Sequence, residues 1–270
     1  MSFFKPMGHA EPAEIVNSNS SNEWAAGLKQ GVLIAGVVLT LTLPPAQRAS
    51  SVRSAGTVVS NVPQIPLHVD FRGKLASEDV RFVANWVADS RDNQHLSFVI
   101  IDKKNAHVYV FDASAKLLGA TPVLLGAAQG DDSVAGIGQR PIDKVLPQER
   151  TTPAGRFMGE PGRNTTGEDV VWVDYGAAVS MHRVRIVDSN ERRLERLATP
   201  TTQDNRISFG CINIPVAFYE NVLSPQFKAK YGVVYVLPEL KSVHEVFTTA
   251  YDPAEKRRMF KATLQGFAKL

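Results

Sequence analysis

The stretch S-F-V-I-I-D-K-K-N-A-H-V-Y-V-F-D, residues 97 to 112, decides the fold class of this chain. Two short apolar runs rich in Val, Ile, Tyr and Phe flank K-K-N-A, so the spacing predicts a buried strand over 97–102, a turn over 103–106 and a returning strand over 107–112. A third strand is expected at A-T-P-V-L-L-G (120–126), and further ones at 170–174, 178–182 and 231–237. Upstream, L-A-S-E-D-V-R-F-V-A-N-W-V-A-D-S (75–90) has apolar residues at helical spacing, with Ser77 as N-cap and Glu78 and Asp79 in the first turn. The tail from Glu239 mixes charged and apolar residues at helical spacing and is expected to dock as one or two helices. The fold class that results is mostly β with peripheral helices (α+β).

The N-terminal residues up to 24 are polar and Asn/Ser-rich. Lys29 then precedes G-V-L-I-A-G-V-V-L-T-L-T-L (31–43), thirteen uncharged residues ended by Pro44-Pro45. That pattern fits a signal peptide or a retained signal anchor, with a buried core helix as the alternative, and is short for an ordinary membrane span. Either export reading places the remainder in the periplasm or cell envelope, with the inner membrane as partner if the anchor is uncleaved. The expected organisation is a tail and signal at 1–43, a Pro-containing linker at 44–66, a helical segment at 67–94, a catalytic domain at 95–238 and a helical extension at 239–270.

A formal net charge of +3 is too balanced to indicate nucleic acid as a partner. The single cysteine excludes an intramolecular disulfide, and no His/Cys cluster has metal-ligand spacing, so neither a metal nor another cofactor is expected. G-I-G-Q-R-P (136–141) completes neither a dinucleotide fingerprint nor a phosphate loop.

The lone thiol sits in R-I-S-F-G-C-I-N-I-P (206–215). Cys211 reads either as a small buried hydrophobe in a strand or as a nucleophile. Gly210 lets the backbone turn tightly, so the N–H groups of Phe209, Gly210 and Cys211 form a candidate oxyanion hole. Of six histidines, His182 ends a predicted strand and opens an Arg-rich segment leading to the cysteine.

The order T-P-A-G-R-F (152–157), M-H (181–182), S-F-G-C-I-N (208–213) resembles the L,D-transpeptidase catalytic domain, a YkuD-like family. The resemblance extends over residues 95–238 and implies a β-sandwich or barrel. It implies that Cys211 is the acylated nucleophile and His182 the general base, with the Arg183 backbone carbonyl orienting the imidazole. Ser208 and Asn213 match supporting motif positions. The implied substrate is a peptidoglycan stem tetrapeptide: Cys211 attacks the carbonyl of the third residue, D-Ala leaves, and an amine resolves the thioester as a 3→3 cross-link.

Two departures stand out. Phe209 occupies a position where the family has His, and the 25 residues from 183 to 207 exceed the family's usual interval. That segment carries Arg183, Arg185, Arg192, Arg193, Arg196 and Arg206. It is either a lid whose guanidinium groups, Arg206 among them, meet stem carboxylates, or a solvated insertion. Tyr175 is a candidate cleft residue, whereas Trp172 reads as core. Two alternatives stay open: an L,D-carboxypeptidase with water as acceptor, and a non-catalytic cell-wall binding protein impaired at Phe209. A papain-like protease is disfavoured because its cysteine precedes its histidine.

Overall fold

The computed structural model describes residues 68–228 and 230–267. The tail, the apolar run and the linker, with every expectation attached to them, lie outside the described residues.

The hairpin forms as expected. β1 (Phe98–Asp102) and β2 (His107–Phe111) pair antiparallel, with Ile100 opposite Tyr109. β10 (Gly232–Val236) lies parallel to β1 on its other side. These strands read as continuous apolar runs because both of their faces are covered. Val99, Ile101, Val108, Val110, Val234 and Val236 enter one core cluster. The alternate residues Phe98, Ile100, Tyr109, Phe111, Val233 and Tyr235 enter another. The second cluster is closed by α1 (Glu78–Ser90), which buries Val80, Val83, Ala84, Trp86 and Val87. Ser77 caps α1 by accepting the Val80 N–H at 3.3 Å, and Arg91 ends it in a left-handed conformation.

The complete sheet has eight strands in the order β3-β2-β1-β10-β5-β6-β7-β9, using β3 (Leu117–Pro122), β5 (Gly155–Arg163), β6 (Asp169–Asp174), β7 (Val179–Arg183) and β9 (Ile212–Ile214). The protein is therefore mostly β with peripheral helices, as its patterning implies.

Three elements depart from the sequence reading. The run 120–126 is not one strand. Pro122, the last residue of β3, pairs with His107 and contributes no N–H to the ladder, and the chain then leaves β2. Leu124 bridges Asn213, and β4 (Leu125–Gly126) joins β8 (Arg206–Ser208) in a separate parallel pair. β5 went unanticipated because its sequence, G-R-F-M-G-E-P-G-R, holds three glycines and a proline. It serves as a joint: Gly155 to Gly159 pair with β10, and Glu160 to Arg163 pair with β6. A helical crossover also went unanticipated. α3 (Val216–Phe218), a π-turn (Tyr219–Leu223) and α4 (Ser224–Phe227) run on from β9 and bury Tyr219, Leu223 and Phe227 in the first cluster.

The tail forms α5 (Val243–Val246) and α6 (Pro253–Phe267). α5 leads into Phe247, which packs against Trp86 and Tyr235. The expected docking holds for α6 only in its first turn, where Pro253 is buried and Arg257 pairs with Asp89 at 2.7 Å. No helix among the described residues is long and apolar enough to cross a membrane.

Candidate active site

β7 and β9 pair in parallel, with Met181 opposite Ile212 and His182 opposite Asn213. Side chains alternate along a strand, so His182 and Asn213 share a face, and Ser180 and Cys211 extend that face by one step. Residues 31 apart in sequence thereby become neighbours: Ser180 Oγ lies 3.7 Å from the Cys211 sulfur. The thiol also approaches the Ala178 carbonyl at 3.5 Å.

His182 Nδ1 is 2.7 Å from the Arg183 carbonyl. A carbonyl oxygen only accepts, so Nδ1 carries the proton and Nε2 is the nitrogen left to exchange one with the thiol. Burial by itself would raise the Cys211 pKa, but hydrogen bonding to His182, the imidazole's charge and the Ser180 N–H and hydroxyl outweigh it and hold the thiol below its ordinary value. In the histidine, burial works to lower the pKa, while the hydrogen bond and charge of Cys211 and the Arg183 carbonyl raise it above the ordinary imidazole value. Opposite shifts in two groups that share one face of the paired strands favour a thiolate–imidazolium pair.

The loop before the thiol is held by side chains. Ser208 Oγ donates to the Cys211 carbonyl at 2.6 Å and accepts the Gly210 N–H at 3.1 Å. Asn213 Nδ2 donates to the same Cys211 carbonyl at 3.2 Å, and its Oδ1 accepts from Arg193 at 2.6 Å. Gly210 has φ +129°, and a Cβ there would stand 2.7 Å from the Thr151 carbonyl, so only glycine fits. Its carbonyl accepts from Thr152 Oγ1 at 2.8 Å. With the Gly210 N–H committed to Ser208, Phe209 and Cys211 keep N–H groups that meet no acceptor among the described residues.

Phe209 is 38% exposed and lies under the Arg150 guanidinium, 4.0 Å from ring centre to the guanidinium carbon. Tyr175 is exposed in the turn that ends at Ala178 and sets its ring edge-to-face with half-buried Trp172 at 5.1 Å. Arg206 is engaged elsewhere: its guanidinium pairs with Glu239 and donates to the Lys103 carbonyl at 2.9 Å. The other arginines of the long segment also have partners. Arg183 pairs with Asp169 and Glu220, Arg185 with Glu168, Arg192 with Glu195 and Arg193 with Glu191, while Arg196 donates to two backbone carbonyls. Those arginines pack the segment, which folds into a turn (Ser189–Glu191), α2 (Arg193–Ala198) and a second turn (Thr202–Asn205).

Sequence reading passed over several residues of this assembly. Ser180 was detectable as the residue two before His182, on the same face of a strand. Thr152 lay inside T-P-A-G-R-F without an assigned role. Arg193 and Arg150 carry no local signal. Beneath the site, buried Lys103 donates to Asp131 Oδ1 at 2.7 Å, to the Gly130 carbonyl at 2.6 Å and to the Thr152 carbonyl at 2.8 Å. Among the described residues no cluster of three or more His, Cys, Asp or Glu side chains is placed to hold a metal ion.

No protein-family model matches the sequence, and no curated protein matches it. Among solved structures, the chain is similar to the helical cell shape determining protein Pgp2 from Campylobacter jejuni, at 14% identity and a TM-score of 0.38, over 58% of this chain and 55% of that one. The K307A mutant of Pgp2 aligns over the same shares with a TM-score of 0.36. The chain spans about half the length of the protein it matches.

Proposed function

We propose that this protein is a cysteine acyltransferase of the L,D-transpeptidase kind, exported to the cell envelope and acting on peptidoglycan stem peptides. The observation that carries the reading is the placement of Cys211 on the face of β7 and β9 that bears Ser180 and His182, with the imidazole oriented by the Arg183 carbonyl and the thiol pKa held down. In the proposed reaction the Cys211 thiolate attacks the carbonyl carbon of the third stem residue. The developing oxyanion is met by the Cys211 and Phe209 N–H groups. The carbon–nitrogen bond to D-Ala breaks as the His182 imidazolium protonates the leaving amine, and a thioester remains. An acceptor amine then attacks the thioester, gives its proton to His182 and expels the thiolate.

Ser208 and Asn213 act in this scheme by holding the Cys211 carbonyl, which aims the adjacent N–H groups. Phe209 contributes its backbone, and its ring packs on Arg150 in place of a polar side chain. Tyr175 borders the site through the Ala178 turn, whereas Arg206 supports the protein through Glu239 rather than by binding substrate.

Incubation with tetrapeptide muropeptides tests the reading. The expected products are cross-linked dimers and free D-Ala, with none from Cys211→Ala. Tripeptide without dimers would reassign the acceptor to water and make the protein an L,D-carboxypeptidase. Retention on peptidoglycan with no product and no acyl adduct at Cys211 would make it a binding protein.

A further inference from the structure

α6 is the least covered element described. Beyond its first turn every side chain described is exposed: Met259 63%, Phe260 65%, Leu264 53% and Phe267 70%. Phe260, Leu264 and Phe267 follow one another at intervals of four and three, so they form a single apolar stripe along the free part of the helix. The helix carries four cations, Lys256, Arg257, Arg258 and Lys261, against one acid, Glu255. At about 100° per residue, Lys256 falls on one side of the stripe, and Arg257 and Lys261 on the other. Arg257 is held by Asp89 and Lys256 lies over the Tyr251 ring at 4.0 Å, which pins the root of the helix to the body and leaves the remainder projecting.

We propose that α6 binds the surface of a membrane containing anionic lipid. Two aromatic rings and a leucine on one face would enter the boundary between headgroups and acyl chains, and Lys261, the flanking cation with no partner among the described residues, would meet lipid phosphates. At 15 residues the helix is roughly 22 Å long and too charged to span a bilayer, so it lies in the plane of the interface. Charge is what selects the occupant. A second copy of this helix would bring four cations against four, whereas an anionic bilayer is complementary and needs no preformed groove. Binding of this kind would hold the protein at the membrane whether or not the N-terminal apolar run is retained.

The apolar run at 31–43 can itself partition into vesicles, so the test reports from α6 within the full chain. An environment-sensitive NBD fluorophore is placed at Leu264→Cys in a Cys211→Ser background, and emission is followed with phosphatidylcholine vesicles with or without phosphatidylglycerol. The expected result is a blue shift, with quenching by brominated lipids, for the anionic vesicles only and reversed by high salt. Adding Lys261→Glu lowers that partitioning at least about fivefold. In the unlabelled chain, Phe260→Ser with Phe267→Ser removes the salt-sensitive, anionic-lipid-dependent part of vesicle co-sedimentation.

An equal response to both vesicle types overturns the anionic-lipid assignment. No response at position 264 while the chain still sediments assigns the binding to the N-terminal run and overturns the proposal. Emission already blue-shifted without vesicles also overturns it, pointing to a second copy if it depends on protein concentration and to another segment of the chain if it does not.

Discussion

The Thr152 hydroxyl donates to the Gly210 carbonyl at 2.8 Å and accepts the Gly126 N–H at 2.9 Å, so one buried side chain ties the Cys211 loop to β4. Thr152→Val keeps the shape and removes both bonds, leaving two buried backbone groups unpaired. The expected loss is about 1–3 kcal/mol of stability, seen as a lower midpoint in denaturant at unchanged slope. Alkylation of Cys211 should also lose its single well-defined rate as Gly210 is freed. An unchanged midpoint would show that water replaces the hydroxyl at no cost.

The thiol titration is predicted by the opposite shifts at the pair. Because the Cys211 pKa is lowered and that of His182 raised, the rate of alkylation by iodoacetamide should rise with pH at an inflection below that of a free cysteine, about 8.5. Removing the imidazole in His182→Ala leaves burial as the largest cause, so the inflection should move upward past that value. Ser180→Ala should move it in the same direction by less, since the alanine keeps the backbone N–H contribution and loses only the hydroxyl. Inflections that coincide in parent and His182→Ala would remove the basis for a coupled pair.

Asp131 links acid stability to the site. Burial would raise its pKa, but the Lys103 ammonium and the N–H groups of Glu239, Leu240 and Lys241 lower it to about 2. A carboxyl depressed in the folded state adds stability that is complete above its unfolded pKa near 3.9 and is lost as pH falls through about 2. Denaturation midpoints of the parent should therefore fall across that window, and those of Asp131→Asn should fall less steeply. At neutral pH, Lys103→Met strands a buried carboxylate and should cost about 3–5 kcal/mol. Because Lys103 also holds the Thr152 carbonyl, the same variant should slow thiol alkylation before it unfolds the protein.

Phe209 and Arg150 should be coupled. The guanidinium lies over a partly exposed ring, a geometry worth about 0.5–1 kcal/mol in a double-mutant cycle of Phe209→Ala and Arg150→Ala. Phe209→Ala should leave the thiol inflection in place, because the residue supplies a backbone N–H to the site and no charge. A shifted inflection would mean that the ring itself shapes the environment of the sulfur.

Much of the fold was legible because local pattern and final burial agree. The hairpin at Phe98–Phe111, the cap at Ser77, and the strands at 169–174, 179–183 and 232–236 carry their own signals within a few residues. β5 and the crossover from Val216 to Phe227 did not. Three glycines and a proline hide a strand whose conformation is imposed by β10 on one half and β6 on the other. α6 shows the converse: its helical periodicity was readable, yet periodicity does not say whether a partner within the chain covers the apolar stripe.

For the site, sequence alone established which residues had the chemistry: one thiol after a glycine, a histidine at the end of a strand, and Ser208 and Asn213 on either side of Cys211. The resemblance of their motif also implied a role for each. Only the tertiary structure decided that the thiol lies against Ser180 on the face that carries His182, because the parallel pairing of β7 with β9 closes a loop of some thirty residues and no short-range pattern records such a contact. The supports supplied by Thr152, Arg193 and the Lys103–Asp131 pair were equally invisible. A hydrogen bond depends on distance and direction in space, and their distances along the chain carry neither.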